Sequence, residues 1–102
     1  MWAQLIKMRV KPGKEDQVNL VFEQLHAFEQ PGSGLIRTTA MHDQKDPSVV
    51  YAMPVFESEE AARARENDPR RQEGLKGVQA LMAEVFEAPE FVDLVVEREE
   101  TY

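Results

Sequence analysis

The 102 residues predict an α+β domain with a split βαββαβ order. Three observations carry this. Four short runs have strand composition, two longer stretches show helical period, and the breaks between them hold proline, glycine or Asx turn residues. In that order both helices fall on one face of a four-stranded antiparallel sheet, because right-handed crossovers return on the same side. The sheet's other face is then left to be covered, and in so short a chain a second copy is the natural cover, which predicts a homodimer.

Each element follows from local chemistry. From Trp2 to Val10, the even positions Trp2, Ile6, Met8 and Val10 alternate with Ala3, Leu5, Lys7 and Arg9, a strand with one largely apolar face. Lys11-Pro12-Gly13-Lys14 breaks it. From about Lys14 to Gln30 the period becomes helical, with Val18, Val21, Phe22, Leu25 and Phe28 on one stripe and Glu15 and Asp16 at the positive end of the helix dipole. Pro31-Gly32-Ser33-Gly34 stops that helix. Leu35–His42 and Val49–Phe56 read as strands joined through the turn residues Asp43 to Ser48. Pro54, lacking a donor, predicts a bulge or an unpaired edge position in the second of them.

Ser58 is the expected N-cap of a helix through Ala61, Ala62 and Ala64, with Glu59 and Glu60 in its first turn. Asp68-Pro69 restarts helix, carrying Leu75, Val78, Met82 and Val85 on its apolar stripe, until Pro89. Phe91 to Glu97 forms the last strand, and Glu99 to Tyr102 a frayed or partner-docked tail. No linker or repeat divides the chain, so residues 1–102 read as a single domain.

Composition excludes several classes of function. Nineteen acidic against 12 basic residues give a formal charge of −7, which repels phosphate backbones and anionic lipid and predicts neither nucleic-acid nor membrane partners. There is no cysteine, so disulfides, thiolate nucleophiles and thiolate metal sites are ruled out. Charges at Lys7 and Arg9 interrupt the N-terminal run, no signal peptide is read there, and the expected location is cytoplasmic. The two histidines, His26 and His42, form no ligand-spaced pair. Ser33 lies in a helix-stopping turn rather than a nucleophile elbow, and no glycine-rich phosphate loop precedes a helix. No metal and no cofactor is expected.

The strands suggest a pocket for a small hydrophobic or aromatic molecule, since such ligands need apolar walls and a few converging polar groups. Trp2, Gln4, Met53 and Phe56 are the expected contacts. Tyr51, Arg37 and His42 are the candidates for anion stabilisation and proton transfer. Strand parity groups Trp2 with Gln4, Arg37 with Thr39, and Tyr51 with Met53, without fixing which face meets the helices. His26 is expected at the margin of the first helix, and Arg70 and Arg71 facing solvent.

Pro31-Gly32-Ser33-Gly34-Leu35, the turn Asp43 to Ser48, the run Val50-Tyr51-Ala52-Met53-Pro54-Val55-Phe56-Glu57-Ser58-Glu59-Glu60-Ala61 and Asp68-Pro69 together resemble the antibiotic biosynthesis monooxygenase (ABM) family over nearly the whole chain. The resemblance implies a ferredoxin-like protomer paired into a dimeric α+β barrel, with a pocket between helices and sheet. It also implies oxygenation of a quinol-like or polycyclic aromatic molecule without a cofactor. The alternative is a non-catalytic dimeric ligand-binding or assembly module. The family's usual strand-three Glu and Trp are here Pro54 and Phe56, and its helical His is Arg65, counted among the ligand contacts. Haem-degrading members carry an Asn on the first strand where this chain has Ile6.

Overall fold

The computed structural model describes all 102 residues. Four strands, β1 (Trp2–Arg9), β2 (Leu35–His42), β3 (Val49–Phe56) and β4 (Glu90–Val95), alternate with α1 (Val18–Ala27), α2 (Glu59–Glu66) and α3 (Pro69–Val85). The antiparallel sheet runs β2-β3-β1-β4. This is the ferredoxin-like α+β architecture that the element order predicts.

The helix signals act as read, with two adjustments. Ser58 caps α2 by accepting a hydrogen bond from the Ala61 amide, and Asp68 caps α3 through the Arg70 amide with Pro69 in the first turn. The first helical stretch begins as a 3-10 turn at Glu15–Gln17 before α1 proper. α3 ends at Val85, ahead of Pro89, because Phe86 takes an extended conformation and bridges to Val10.

Pro54 departs from expectation. It sits in β3, an interior strand, facing Thr38 across β2. The register with β1 is the same on either side of it, Ala3 with Val55 and Ile6 with Ala52, while Gln4 and Leu5 have no partner on β3 and pair only with β4. The missing donor thus interrupts one ladder without shifting it. The bulge lies in β2 instead, between Leu35 and Arg37. Gly34 just ahead of it has φ +84, and a Cβ there would stand 2.6 Å from the Ala61 Cβ, so only glycine lets this turn lie against α2.

Two apolar clusters fix the helices on the sheet. At one end Met8, Val10, Val50 and Ala52 pack with Val21 of α1, Val85 of α3 and Phe86. At the other, Trp2 and Phe56 pack with Ala62 of α2. Both clusters use the even-numbered residues of β1, so this is the face the helices cover.

The other face carries Ala3, Leu5 and Lys7 with Tyr51, Met53 and Val55. The chain beyond β4 crosses it. β4 and β2 are opposite edges of the sheet, yet Glu99 pairs with Arg37 on β2. Three strand spacings are roughly 14 Å, and four extended residues span about that distance. Val55 is only 2% exposed, whereas Met41, Val92 and Leu94 of the same face are 43%, 50% and 38% exposed.

Candidate functional site: a cavity with a basic wall

Between the two clusters the sheet and helices do not close on each other. They leave a cavity of about 600 Å³, within the range of small-ligand sites. Its floor is Trp2, Gln4, Ile6 and Met8 of β1, Ala52, Pro54 and Phe56 of β3, Thr38 and Ala40 of β2, and Phe91 of β4. α1 contributes Val21, Phe22, Leu25 and His26, and α2 contributes Ala62. The wall is predominantly apolar, and its charged groups are few: Glu29, Arg65, Glu66 and Arg71.

Three of these charges form one cluster. The Arg65 guanidinium grips Glu29, its Nε donating to both carboxylate oxygens at 3.1 and 3.0 Å and its Nη2 donating to Oε1 at 2.6 Å. The two side chains are 15% and 20% exposed. That fork-shaped contact is the strong form of an ion pair. It holds the Glu29 carboxyl below its usual range against the opposing effect of burial. Arg65 also lies over the Phe56 ring, 5.4 Å from its centroid. Arg71 completes the cluster, with Nη1 3.8 Å from Glu29 Oε1 and its guanidinium over Phe28 at 5.9 Å. Burial, reinforced by the neighbouring Arg65 charge, pushes the Arg71 guanidinium down from its ordinary value.

Local sequence explains the geometry. Asp68-Pro69 separates α2 from α3, so Arg65 near the end of one helix and Arg71 at the start of the next come together over Glu29, just beyond α1. Gly74, one turn after Arg71, lets α3 approach Phe28: a Cβ there would fall 2.4 Å from its ring. A second group guards the Trp2 end. Arg63 stacks over Trp2 at 5.1 Å and pairs with Glu59, Glu66 and Asp93, while Gln4 donates to Asp93 at 3.0 Å. Hydrogen bonds from Gln4 and from Arg63 keep the Asp93 carboxyl below its usual range.

Of the residues singled out from the sequence, Trp2, Gln4, Phe56 and Arg65 meet at this cavity. Tyr51 and Met53 lie on the opposite sheet face, since Tyr51 pairs with Lys7 and β1 alternates around it. Arg37 shares that face, paired with Val55 on β3 and bound to Glu99. His42 ends β2, its Nδ1 3.1 Å from the Asp43 carbonyl, and does not line the cavity. The expectation that Arg70 and Arg71 both face solvent is corrected for Arg71: its side chain is 18% exposed and turned to Glu29, whereas Arg70 folds onto Asp68. His26, Glu29, Glu66, Arg71 and Phe91 are among the cavity residues that the sequence reading does not assign to a site. The one available signal was the i, i+3 spacing of His26 and Glu29, which a helix read through to Gln30 puts on one side; α1 in fact ends at Ala27, with Glu29 just beyond it.

The fold recurs in solved structures. SnoaB, a cofactor-independent oxygenase from Streptomyces nogalater solved in a mutant form, superposes with a TM-score of 0.74 at 18% identity, covering 96% of this chain and 94% of that one. A Chloroflexus aurantiacus protein provisionally described as an antibiotic biosynthesis monooxygenase matches at TM-score 0.61 and 24% identity, over 97% of this chain and 98% of that one. The Pseudomonas aeruginosa protein PA3566 matches at TM-score 0.64 and 13% identity, over 95% and 94% of the two chains. No curated protein matches the chain. The family model described as antibiotic biosynthesis monooxygenase matches residues 1–77 of the 102, and the chain belongs to that family.

Proposed function

We propose that the chain is a monooxygenase that works without a cofactor on a small quinol-like or polycyclic aromatic molecule held in the cavity. The observation that carries this reading is the cavity itself, about 600 Å³ of largely apolar space with its charges gathered at one end. Membership of the family and the fold shared with a cofactor-independent oxygenase support it. In this reading the flat body of the substrate lies against the floor residues Trp2, Phe56 and Phe91, Gln4 offers an amide to its rim, and the arginine cluster stabilises charge that develops on its oxygen. His26, the one imidazole lining the cavity, accepts the proton.

The chemistry balances without a bound redox group. An anthrone, taken as probe, loses a proton to give an electron-rich carbanion, which passes electrons to O2. One oxygen atom becomes the new ring carbonyl and the other leaves as water with the two hydrogens of the former CH2. Incubating the purified protein with an anthrone under ¹⁸O2 should yield the quinone carrying one ¹⁸O, faster than in buffer. Label incorporation no faster than in buffer would rule this activity out.

A second reading, a non-catalytic ligand-binding module, is favoured by one observation. From β3 the cavity is lined only by Ala52, Pro54 and Phe56, none of which can transfer a proton. Anthrone bound without oxygen uptake would decide for it.

We further propose that the outer sheet face pairs two copies. Exposed Met41, Val92 and Leu94 support this, and Tyr51, Met53 and Arg37 would then act in self-association. Light scattering after gel filtration should return twice the 11.7 kDa chain mass; a monomer at micromolar concentration would exclude it.

A further inference from the structure

The cavity wall holds two guanidinium groups and two carboxylates, and both carboxylates are engaged by other arginines. Glu29 is committed to Arg65 by the three hydrogen bonds described above. Glu66, the other acidic group of the wall, is committed to Arg63 at 3.0 Å. Arg71 reaches neither of them with a hydrogen bond, its nearest carboxylate oxygen being 3.8 Å away. No buried side-chain nitrogen in the chain lacks a partner, so the Arg71 nitrogens that make no hydrogen bond remain accessible, and Arg71 is one of the residues lining the cavity. The guanidinium lies over Phe28, 5.9 Å from its centroid, and Gly74 lets α3 approach that ring. A planar fork of donors on a side chain only 18% exposed matches a carboxylate in shape and charge.

We propose that the cavity selects an aromatic carboxylate, and that Arg71 is the residue that binds its carboxylate group. The apolar body of the ligand then lies towards Ile6, Phe56 and Phe91, and Arg65 is a positioning residue that occupies Glu29 and so leaves Arg71 free of a hydrogen-bonded carboxylate. This rests on the reading of the cavity as a ligand site and adds the charge and the docking point of that ligand.

Calorimetric titration of the full chain with 2-naphthoate and with its uncharged counterpart 2-naphthamide tests this. The wild type should bind the naphthoate about tenfold or more tightly than the amide, the difference a charge-assisted hydrogen-bond pair supplies. Arg71→Met keeps the stem over Phe28 and should abolish the preference while leaving amide binding in place. Glu29→Gln raises the charge of the wall and should tighten naphthoate binding without tightening the amide, a direction that a purely structural role for Glu29 would not give. Equal affinity for the two probes in the wild type would overturn the carboxylate inference and leave the cavity a ligand site. A preference that survives Arg71→Met, or naphthoate binding weakened by Glu29→Gln, would overturn the assignment to Arg71. Binding of neither probe would overturn this inference and count against the cavity as an aromatic site, and the ¹⁸O2 experiment then judges the oxygenase reading separately.

Discussion

Replacing Trp2 by alanine should destabilise the protein by about 3–5 kcal/mol, the range for deleting a large buried aromatic side chain. The ring is 6% exposed and stands 5.9 Å from the Phe56 ring, tilted against it. It also underlies Arg63 and packs with Ala62 of α2. Three elements lose a common contact when it goes, and the cavity, already about 600 Å³, becomes larger and unable to collapse. In a domain of this size each kcal/mol moves Tm by roughly 4–8 °C, so a fall of at least ~12 °C is expected in thermal denaturation. A fall below ~4 °C would mean that the second cluster does not anchor α2. Phe56→Leu, which keeps most of the apolar volume, should cost considerably less. Since Trp2 is both wall and anchor, ligand titrations on Trp2→Ala are informative only at temperatures where the variant is folded.

The second large effect is expected at Arg65. Arg65→Ala removes all three hydrogen bonds from Arg65 to Glu29 and leaves that carboxylate, 20% exposed, with Ser33 and the more distant Arg71. Removing one member of a largely buried pair is expensive because the survivor stays desolvated. A loss of about 2–4 kcal/mol in urea unfolding is expected at neutral pH. The pH dependence gives the mechanism away. The folded-state pKa of Glu29 lies below its ordinary 4.5, chiefly because Arg65 donates to it. Its contribution is therefore fully present above about pH 4.5 and is lost as pH falls through the depressed folded value. The stability gap between wild type and Arg65→Ala should accordingly narrow below pH 4.5. A gap constant down to pH 3 would show that Arg65 contributes through its packing on Phe56 rather than through the ion pair.

Arg65 also illustrates how function and stability are joined here. Its place in the family pattern is that of a histidine, a residue able to exchange protons, whereas a guanidinium stays charged. At the cavity wall this chain therefore has a fixed positive charge at Arg65, and its lining imidazole is His26 on α1.

What the sequence determined by itself was the element order and its punctuation. Ser58, Asp68-Pro69 and the glycines around Ser33 act within a few residues, through hydrogen bonds and φ preferences that need no tertiary partner. Period-2 alternation likewise separated Trp2 and Gln4 from Leu5 and Lys7 before any fold was known. Three things only the tertiary structure decided. Alternation defines two faces but does not say which one the helices cover, so Tyr51, Met53 and Arg37 could not be separated from Trp2, Gln4 and Phe56 until the packing of Val21, Ala62 and Val85 settled it. Helix spacing placed Pro89 as the stop, but pairing of Phe86 with Val10 ended α3 earlier. The cluster of Glu29, Arg65 and Arg71 joins residues 36 and 42 positions apart from Glu29 in sequence. No local rule links such positions. They meet because a two-residue break between α2 and α3 folds the helices back over the end of α1, and burial then turns two ordinary surface cations into the wall of a cavity.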